Sequence, residues 1–294
     1  MKKICVIGSI NMDMVVENKK FVKPGETVTG LDFFTTFGGK GANQAVACAR
    51  LGGEVSFVGI VGDDIYGKEC KDNLNKNNID VISVATRGKQ GVALIEIEES
   101  GENRITVVPG SNGLIDKAFV DENMSFILEH DIFLLQNEIP IDTNYYLIEM
   151  LAANNKITIL DPAPADGIEL ECIKGVTYIT PNNSELETLT DETDALAGVE
   201  KMQNYGMFTV LKSGKNGAYI LQDGELVNFP AANYGNCADT TGAGDTFNGA
   251  FAFALAKGYD LRAAIALANK AAGFSITKKG AQTGMPTLED IEMN

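Results

Sequence analysis

The chain has 294 residues, 45% hydrophobic and 22% charged, an ordinary globular composition large enough for one big domain or two small ones. A net charge of −16 repels phosphate backbones and anionic lipid, so nucleic acid and membrane are set aside as partners. No stretch approaches the roughly 20 apolar residues of a membrane span, and no signal-peptide cleavage pattern follows Met1.

The five cysteines are scattered, with no C-x-x-C pair, so neither a zinc site nor a disulfide framework is expected, and a reduced cytoplasmic setting is the plain reading. The single histidine, His130, ends a predicted helix and is expected to be a solvated surface residue. With one histidine, Ser-His-Asp chemistry and a multi-histidine metal site are set aside.

In chain order, Ile4-Cys5-Val6-Ile7-Gly8 is a continuous apolar run closed by glycine, the pattern of a parallel strand buried on both faces. Gly8-Ser9-Ile10-Asn11-Met12-Asp13 follows it, where open α/β sheets bind ligands. Asn11 and Asp13 are two apart, so they point the same way from an extended segment. An amide and a carboxylate suit neighbouring sugar hydroxyls; a simple Asx turn is the alternative. Residues 14–37 alternate, are rich in β-branched and aromatic side chains, and contain a Pro24-Gly25 turn.

Phe37-Gly38-Gly39-Lys40-Gly41-Ala42-Asn43-Gln44-Ala45 is a glycine-rich turn opening a helix whose Ala42, Ala45, Val46 and Ala49 share one face. It is not a P-loop, because Gly41 follows Lys40. Lys40 and Asn43 are three apart and can face one cavity; an ordinary strand-to-helix connection is the alternative. Further strands are predicted at 55–61, 132–135, 157–160, 176–179 and 209–211, with helical patterns between many of them: an α/β domain around a mostly parallel sheet. Residues 92–108 hold two alternating runs about a Glu99-Ser100-Gly101-Glu102 turn. With 14–37 they form either a lid over the site or an edge extension of the main sheet.

Asp239-Thr240-Thr241-Gly242-Ala243-Gly244-Asp245 precedes the clearest amphipathic helix, which is predicted to begin near Gly244 and to stop at Gly258. Glycines before a helix let free N–H groups converge, and the helix dipole adds positive potential, an anion hole suited to a phosphoryl group in transfer. Asp245, in the first turn, can accept a proton from an attacking hydroxyl. The alternative is that it only complements the dipole. No G-x-G-x-x-G follows the first strand, which argues against a nicotinamide-dependent oxidoreductase. A catalytically silent sugar-binding protein would lack some of these groups.

Gly38 to Asn43 and Asp239 to Asp245 resemble the two signatures of the phosphofructokinase B (ribokinase) family of carbohydrate kinases. Asp161-Pro162-Ala163-Pro164-Ala165 and Lys279-Gly280-Ala281-Gln282 extend the similarity, which runs from about residue 3 to 290. The resemblance implies a single three-layer α/β/α domain over 1–294, with a mainly parallel central sheet and a small β-sheet lid from insertions near 14–37 and 92–108. The Lys40 block and the Asn11/Asp13 pair favour the ribose-phosphorylating members. Kinases for deoxyribose, fructose or a nucleoside are the alternative.

At matching positions, the resemblance implies that Asp245 deprotonates the 5-hydroxyl of ribose while Gly242, Ala243 and Gly244 form the anion hole. Asn11, Asp13, Gly39, Lys40, Asn43 and Glu138 would hold the sugar. Asn182 and Glu185 match an N-x-x-E motif that organises Mg²⁺ and phosphate. Lys212, Ser213, Gly214 and Gly217 match the ATP loop, which Gly244 faces. A monovalent cation, usually K⁺, would be held by Asp239 and the carbonyls of Thr241, Ser275, Lys278, Gly280 and Gly284. Family members of this kind commonly pair as homodimers through their lids. Two positions depart from the familiar pattern: Asn269 stands where a histidine packs near adenine, and Thr241 where an isoleucine is found.

Overall fold

A computed structural model describes residues 1–292. In chain order the strands and helices begin with β1 (Ile4–Ile7), β2 (Asn11–Asn18), β3 (Asp32–Gly38), α1 (Lys40–Arg50), β4 (Val55–Val61), α2 (Ile65–Lys76), β5 (Asp80–Thr86), β6 (Gly91–Glu98) and β7 (Asn103–Val108). Next come α3 (Lys117–Ile127), β8 (Ile132–Gln136), α4 (Ile141–Ala153), β9 (Ile157–Asp161), β10 (Tyr178–Ile179), α5 (Asn183–Thr190) and α6 (Ala195–Asn204). The chain finishes with β11 (Phe208–Thr209), β12 (Leu211–Lys212), β13 (Ala218–Gln222), β14 (Glu225–Phe229), α7 (Ala243–Lys257), α8 (Leu261–Ser275) and α9 (Leu288–Glu292).

Seven strands form the central sheet in the order β11-β10-β9-β8-β1-β4-β5, and every pairing in it is parallel. The four residues of β1 are all buried, as the unbroken apolar run predicts for a strand with helices on both faces. Alternation along that strand splits its side chains between two layers. Ile4 and Val6 join the core under α1, α7 and α8, while Cys5 and Ile7 join the core under α3 and α4. The result is the expected three-layer α/β/α domain.

From β1 the chain first builds toward β4 and β5, then returns to the other side through β8, β9 and β10. The strand order therefore reverses between β1 and β8, and the crevice beyond their carboxyl ends is where an open sheet binds ligands. Ser9 and Glu138 lie just past those ends, and Gln136 is the last residue of β8.

The two alternating segments do not extend the main sheet. They pair with each other as a separate four-stranded sheet, β3-β2-β6-β7. β2 lies antiparallel to β3 and parallel to β6, so Asn11 stands opposite both Gly38 and Gly91. A third, antiparallel sheet, β12-β13-β14, follows the central one.

Three readings are refined. The helix after Gly242 starts at Ala243 and, as expected, stops at Gly258 in the left-handed region. The 209–211 run divides between the central sheet and the third sheet. His130 is not a solvated surface residue: it is 4% exposed, with Nε2 2.9 Å from Ser56 Oγ and Nδ1 3.0 Å from the Phe126 carbonyl. The Phe126 carbonyl, which already accepts from the Glu129 N–H at 3.2 Å, takes the imidazole Nδ1 as a second donor, and the ring packs edge-on against Phe126. Among the described residues no helix is long and apolar enough to cross a membrane.

Candidate active site

Asp245 is the third residue of α7 and is only 6% exposed. Gly242 caps the helix at φ 75°, and a Cβ there would stand 2.9 Å from Ala281 Cα, so both backbone hand and space require glycine. Among the described residues, the N–H groups of Gly242, Gly244 and Asp245 meet no acceptor, whereas that of Ala243 is taken by the Thr240 carbonyl at 3.2 Å. Of the three amides expected to bind an anion, that of Ala243 is thus already engaged in a turn, and that of Asp245 joins the free set. The positive end of the helix dipole falls on the same spot.

Both oxygens of Asp245 are held by side-chain amides from α1. Asn43 Nδ2 donates to Oδ2 at 2.9 Å, and Gln44 Nε2 donates to Oδ1 at 3.2 Å. Each amide is itself oriented from behind. Gln282 Nε2 donates to Asn43 Oδ1 at 3.0 Å, and Gln136 Nε2 donates to Gln44 Oε1 at 2.8 Å. Gln44 Nε2 also reaches Asp161 Oδ2 at 2.9 Å, and Asp161 Oδ1 pairs with Lys212 Nζ at 2.8 Å. Gln44, Asp161, Gln136 and Gln282 were not singled out as site residues in the sequence. Gln44, Asp161 and Gln282 stood within quoted motifs, which was the available signal; Gln136 had none.

Burial pushes the Asp245 carboxyl up to about 6, against the opposing pull of Lys40 and the two amides. Burial works against the charge of Lys40, but the carboxylates of Asp245, Asp161, Glu138 and Glu185 outweigh it and hold the ammonium above its ordinary range. At neutral pH the site therefore holds an ionised Asp245 beside a charged Lys40.

Asn11 and Asp13 emerge on one face of β2, as their spacing requires. Both are buried, at 3% and 9% exposure. A Cβ on Gly38 would lie 2.2 Å from Asp13 Oδ2, so the glycine of the turn keeps room for that carboxylate. Glu138 closes this side, accepting from Ser9 Oγ at 2.5 Å and from the Lys40 N–H at 3.0 Å. Gly39, at φ 86°, turns the chain into α1 so that Lys40 and Asn43 share the crevice.

Burial, then the charges of Glu138 and Asp245, raise the Asp13 carboxyl to about 7. The rise from the ordinary 3.8 corresponds to roughly 4 kcal/mol. For a carboxyl whose folded pKa is raised, stability is fully present below about 4 and declines as pH rises through about 7. Asp13→Asn is therefore expected to raise the Tm of the ligand-free protein at pH 8 and to leave it unchanged near pH 4. Thermal unfolding across that range tests this, and equal Tm values at pH 8 contradict it.

Lys212, Gly214, Gly217, Ala243, Gly244 and Asn269 line one cavity of about 500 Å³ beside the α7 N-terminus. Tyr234, Phe247 and Ile276 give it apolar walls. Lys212 Nζ lies 3.5 Å from where a Cβ on Gly244 would stand, so this ammonium spans Asp161 and the helix N-terminus. Asn269 donates to the Phe229 and Pro230 carbonyls at 2.8 and 3.2 Å, which fixes its amide as part of the wall. Ser213 sits at the loop entrance, its N–H bonded to Gly217 O at 2.7 Å and its Oγ accepting from Asn183 at 3.0 Å.

Asn182 and Glu185 form the capping box of α5, with bonds of 2.7 to 2.8 Å that engage both carboxylate oxygens. Burial raises the Glu185 carboxyl. Asp239 stitches two loops together: Oδ1 accepts from Thr241 N–H and Oγ1, and Oδ2 accepts from Gly280 N–H. These bonds, with Lys279 nearby, outweigh burial and hold its carboxyl below the usual range. Gly284 packs directly on the Ser275 carbonyl, leaving no room for a Cβ. Lys278 directs its ammonium over the Phe274 ring, 5.5 Å from the centroid, so only its backbone is left to serve the loop.

Residues 1–288 match the model of the pfkB family of carbohydrate kinases. A ribokinase of Bacillus subtilis is 43% identical over 294 residues, covering 99% of each chain. A deoxyribokinase of Salmonella typhi is 32% identical, covering 98% of this chain and 97% of its own. A crystal structure of Thermotoga maritima ribokinase superposes with a TM-score of 0.92 at 37% identity, covering 100% of this chain and 99% of the other. A structure of Arabidopsis thaliana ribokinase complexed with ribose and ATP gives 0.90 at 29% identity, covering 99% and 98%. Family match, fold and site geometry agree: the chain belongs to the pfkB family of carbohydrate kinases, phosphotransferases that act on a sugar hydroxyl.

Proposed function

We propose that this chain transfers the γ-phosphoryl group of ATP to the 5-hydroxyl of D-ribose. The observation that carries the reading is the buried Asp245, its carboxylate within reach of the charge of Asp13 and next in α7 to Gly244, which lines the cavity of about 500 Å³ beside the free amides. Asn11, Asp13, Lys40, Asn43 and Glu138 hold the sugar, and Gly39 gives their turn its shape. Asp245 removes the proton from the attacking hydroxyl. The amides of Gly242, Gly244 and Asp245, with Lys212, take up charge on the migrating phosphoryl group. ATP fills the cavity lined by Lys212, Gly214, Gly217 and Asn269, with Ser213 at its mouth.

Among the described residues no three His, Cys, Asp or Glu side chains gather to hold a metal ion. Asn182 and Glu185 would hold a Mg²⁺ carried in on the nucleotide phosphates, and would do so through water because both Glu185 oxygens already serve the α5 cap. Mg²⁺ there would neutralise phosphate charge. The hard oxygens of Asp239 and of the carbonyls of Thr241, Ser275, Lys278, Gly280 and Gly284 fit a monovalent cation such as K⁺, and Asp239 stays anionic to receive it.

The four-stranded sheet is the lid, built from insertions near 14–37 and 92–108 of one domain spanning 1–294. Exposed apolar side chains lie on both of its faces, Phe34, Ile105 and Val107 on the face of Asn11 and Asp13 and Phe33, Leu94 and Val108 on the other, more than a lone surface sheet carries. A second copy of the chain covers it in a homodimer. Light scattering is expected to give twice the monomer mass, and Phe34→Lys with Ile105→Lys, on one face of the sheet, to give the monomer; a monomeric wild type refutes the pairing.

The 32% identical deoxyribokinase favours 2-deoxyribose as the second reading. Coupled detection of ADP over ribose, 2-deoxyribose, fructose and adenosine, each with K⁺ and with Na⁺, decides between them. Ribose is expected to give the highest kcat/KM, and K⁺ a higher rate than Na⁺. A panel led by another acceptor overturns the substrate assignment.

A further inference from the structure

The amide of Asn11 has two ends, and which end meets the sugar decides what the pocket recognises. Asn112 settles this from behind. It lies in the 3₁₀ turn Gly110–Leu114 that follows β7, 101 residues from Asn11 in sequence, and is 1% exposed. Its Oδ1 accepts from the Ile10 N–H at 2.9 Å. A backbone N–H can only donate, so the other end of the Asn112 amide must be Nδ2. That NH₂ group donates to the Ile10 carbonyl at 3.3 Å and to Asn11 Oδ1 at 2.7 Å. Asn11 therefore has its oxygen engaged, and its own NH₂ is the end left for the pocket.

Gly91 leaves the contact undisturbed: a Cβ there would stand 2.4 Å from Asn112 Nδ2 and 2.6 Å from Asn11 Oδ1. Gln90 Nε2, donating to the Ile10 carbonyl at 2.5 Å, holds the same backbone segment.

We infer that Asn112 is a specificity-determining positioning residue, which orients Asn11 as a hydrogen-bond donor beside the acceptor carboxylate of Asp13. A hydroxyl has one proton and can accept from Asn11 while donating to Asp13 once that carboxyl is ionised, above about pH 7. Were the Asn11 amide reversed, two acceptors would compete for that proton and one would stay unpaired in a buried site. Asn112 thus sets the polarity that fits a hydroxylated ligand. The inference rests on the reading of this pocket as the sugar site.

The test is steady-state kinetics of the full-length protein with ribose and ATP, beside Asn112→Asp and Asn112→Ser. In Asn112→Asp the carboxylate still accepts from Ile10 but offers oxygen to Asn11, which reverses. The sugar KM is expected to rise about 10–100-fold, with kcat and the ATP KM within about threefold of wild type. Asn112→Ser removes the orienting donor without a new charge, and a rise of about fivefold is expected; it decides alone if the aspartate variant does not fold. A purely structural role would lower Tm and the active fraction while leaving the sugar KM unchanged, and that result overturns the inference. A wild-type protein without ribose turnover would instead refute the functional reading itself.

Discussion

Asp245→Asn is expected to lower kcat by about 10²–10⁴ while the sugar still binds. The replacement keeps the shape of the side chain and removes only its capacity to take a proton. Phosphoryl transfer depends mainly on positioning and electrostatics, so the free amides of α7 and the ammonium of Lys212 continue to act on the nucleotide in the variant. Residual turnover above the uncatalysed rate follows from them. The new NH₂ group faces Asn43 or Gln44, both of which donate to position 245. One of those contacts becomes donor against donor, which adds a modest loss of order to the loss of the base. Coupled assays of kcat, with titration calorimetry for sugar affinity, read the two effects apart. Wild-type turnover in this variant would refute the assignment of Asp245.

Lys40→Met is expected to reduce kcat at pH 7 by about 10–100-fold, and part of that loss is expected to return at alkaline pH. Lys40 lies among the carboxylates of Asp245, Asp161, Glu138 and Glu185. Its charge is the largest influence holding the Asp245 carboxyl down to about 6 against burial. Without it that carboxyl titrates higher, and a smaller fraction is ionised at neutral pH. A base works only when ionised, so the acid limb of the kcat profile moves upward in pH. A profile from pH 5 to 9 for both proteins checks the shift. An acid limb at the same pH in the variant would show that another group holds Asp245 in its charged form.

Local pattern carried much of this site. The apolar run at β1, the two-residue spacing of Asn11 and Asp13, the glycine stop at Gly258 and the glycine-rich entry to α7 each act over a few residues, and each reads directly from sequence. The alternating segments were legible as strands, but whether they joined the main sheet depends on which edges meet, a property of the tertiary fold. The amide network was not legible. Gln282 orients Asn43 across 239 residues, and Gln44 meets Asp245 across 201. No periodicity encodes such partners. His130 was misread for the same reason: a helix end suggests solvent, but Ser56 on β4, 74 residues away in sequence, bonds the ring. The N-x-x-E spacing shows a different ambiguity, because it satisfies a helix cap with the same atoms that a phosphate site would use.

β1 and β2 are joined by only three residues, Gly8, Ser9 and Ile10. Asn11 and Asp13 ride on the four-stranded sheet, while Asp245 rides on a helix fixed to the central one. With so short a tether, any tilt of the smaller sheet would carry Asn11 and Asp13 away from Asp245 together.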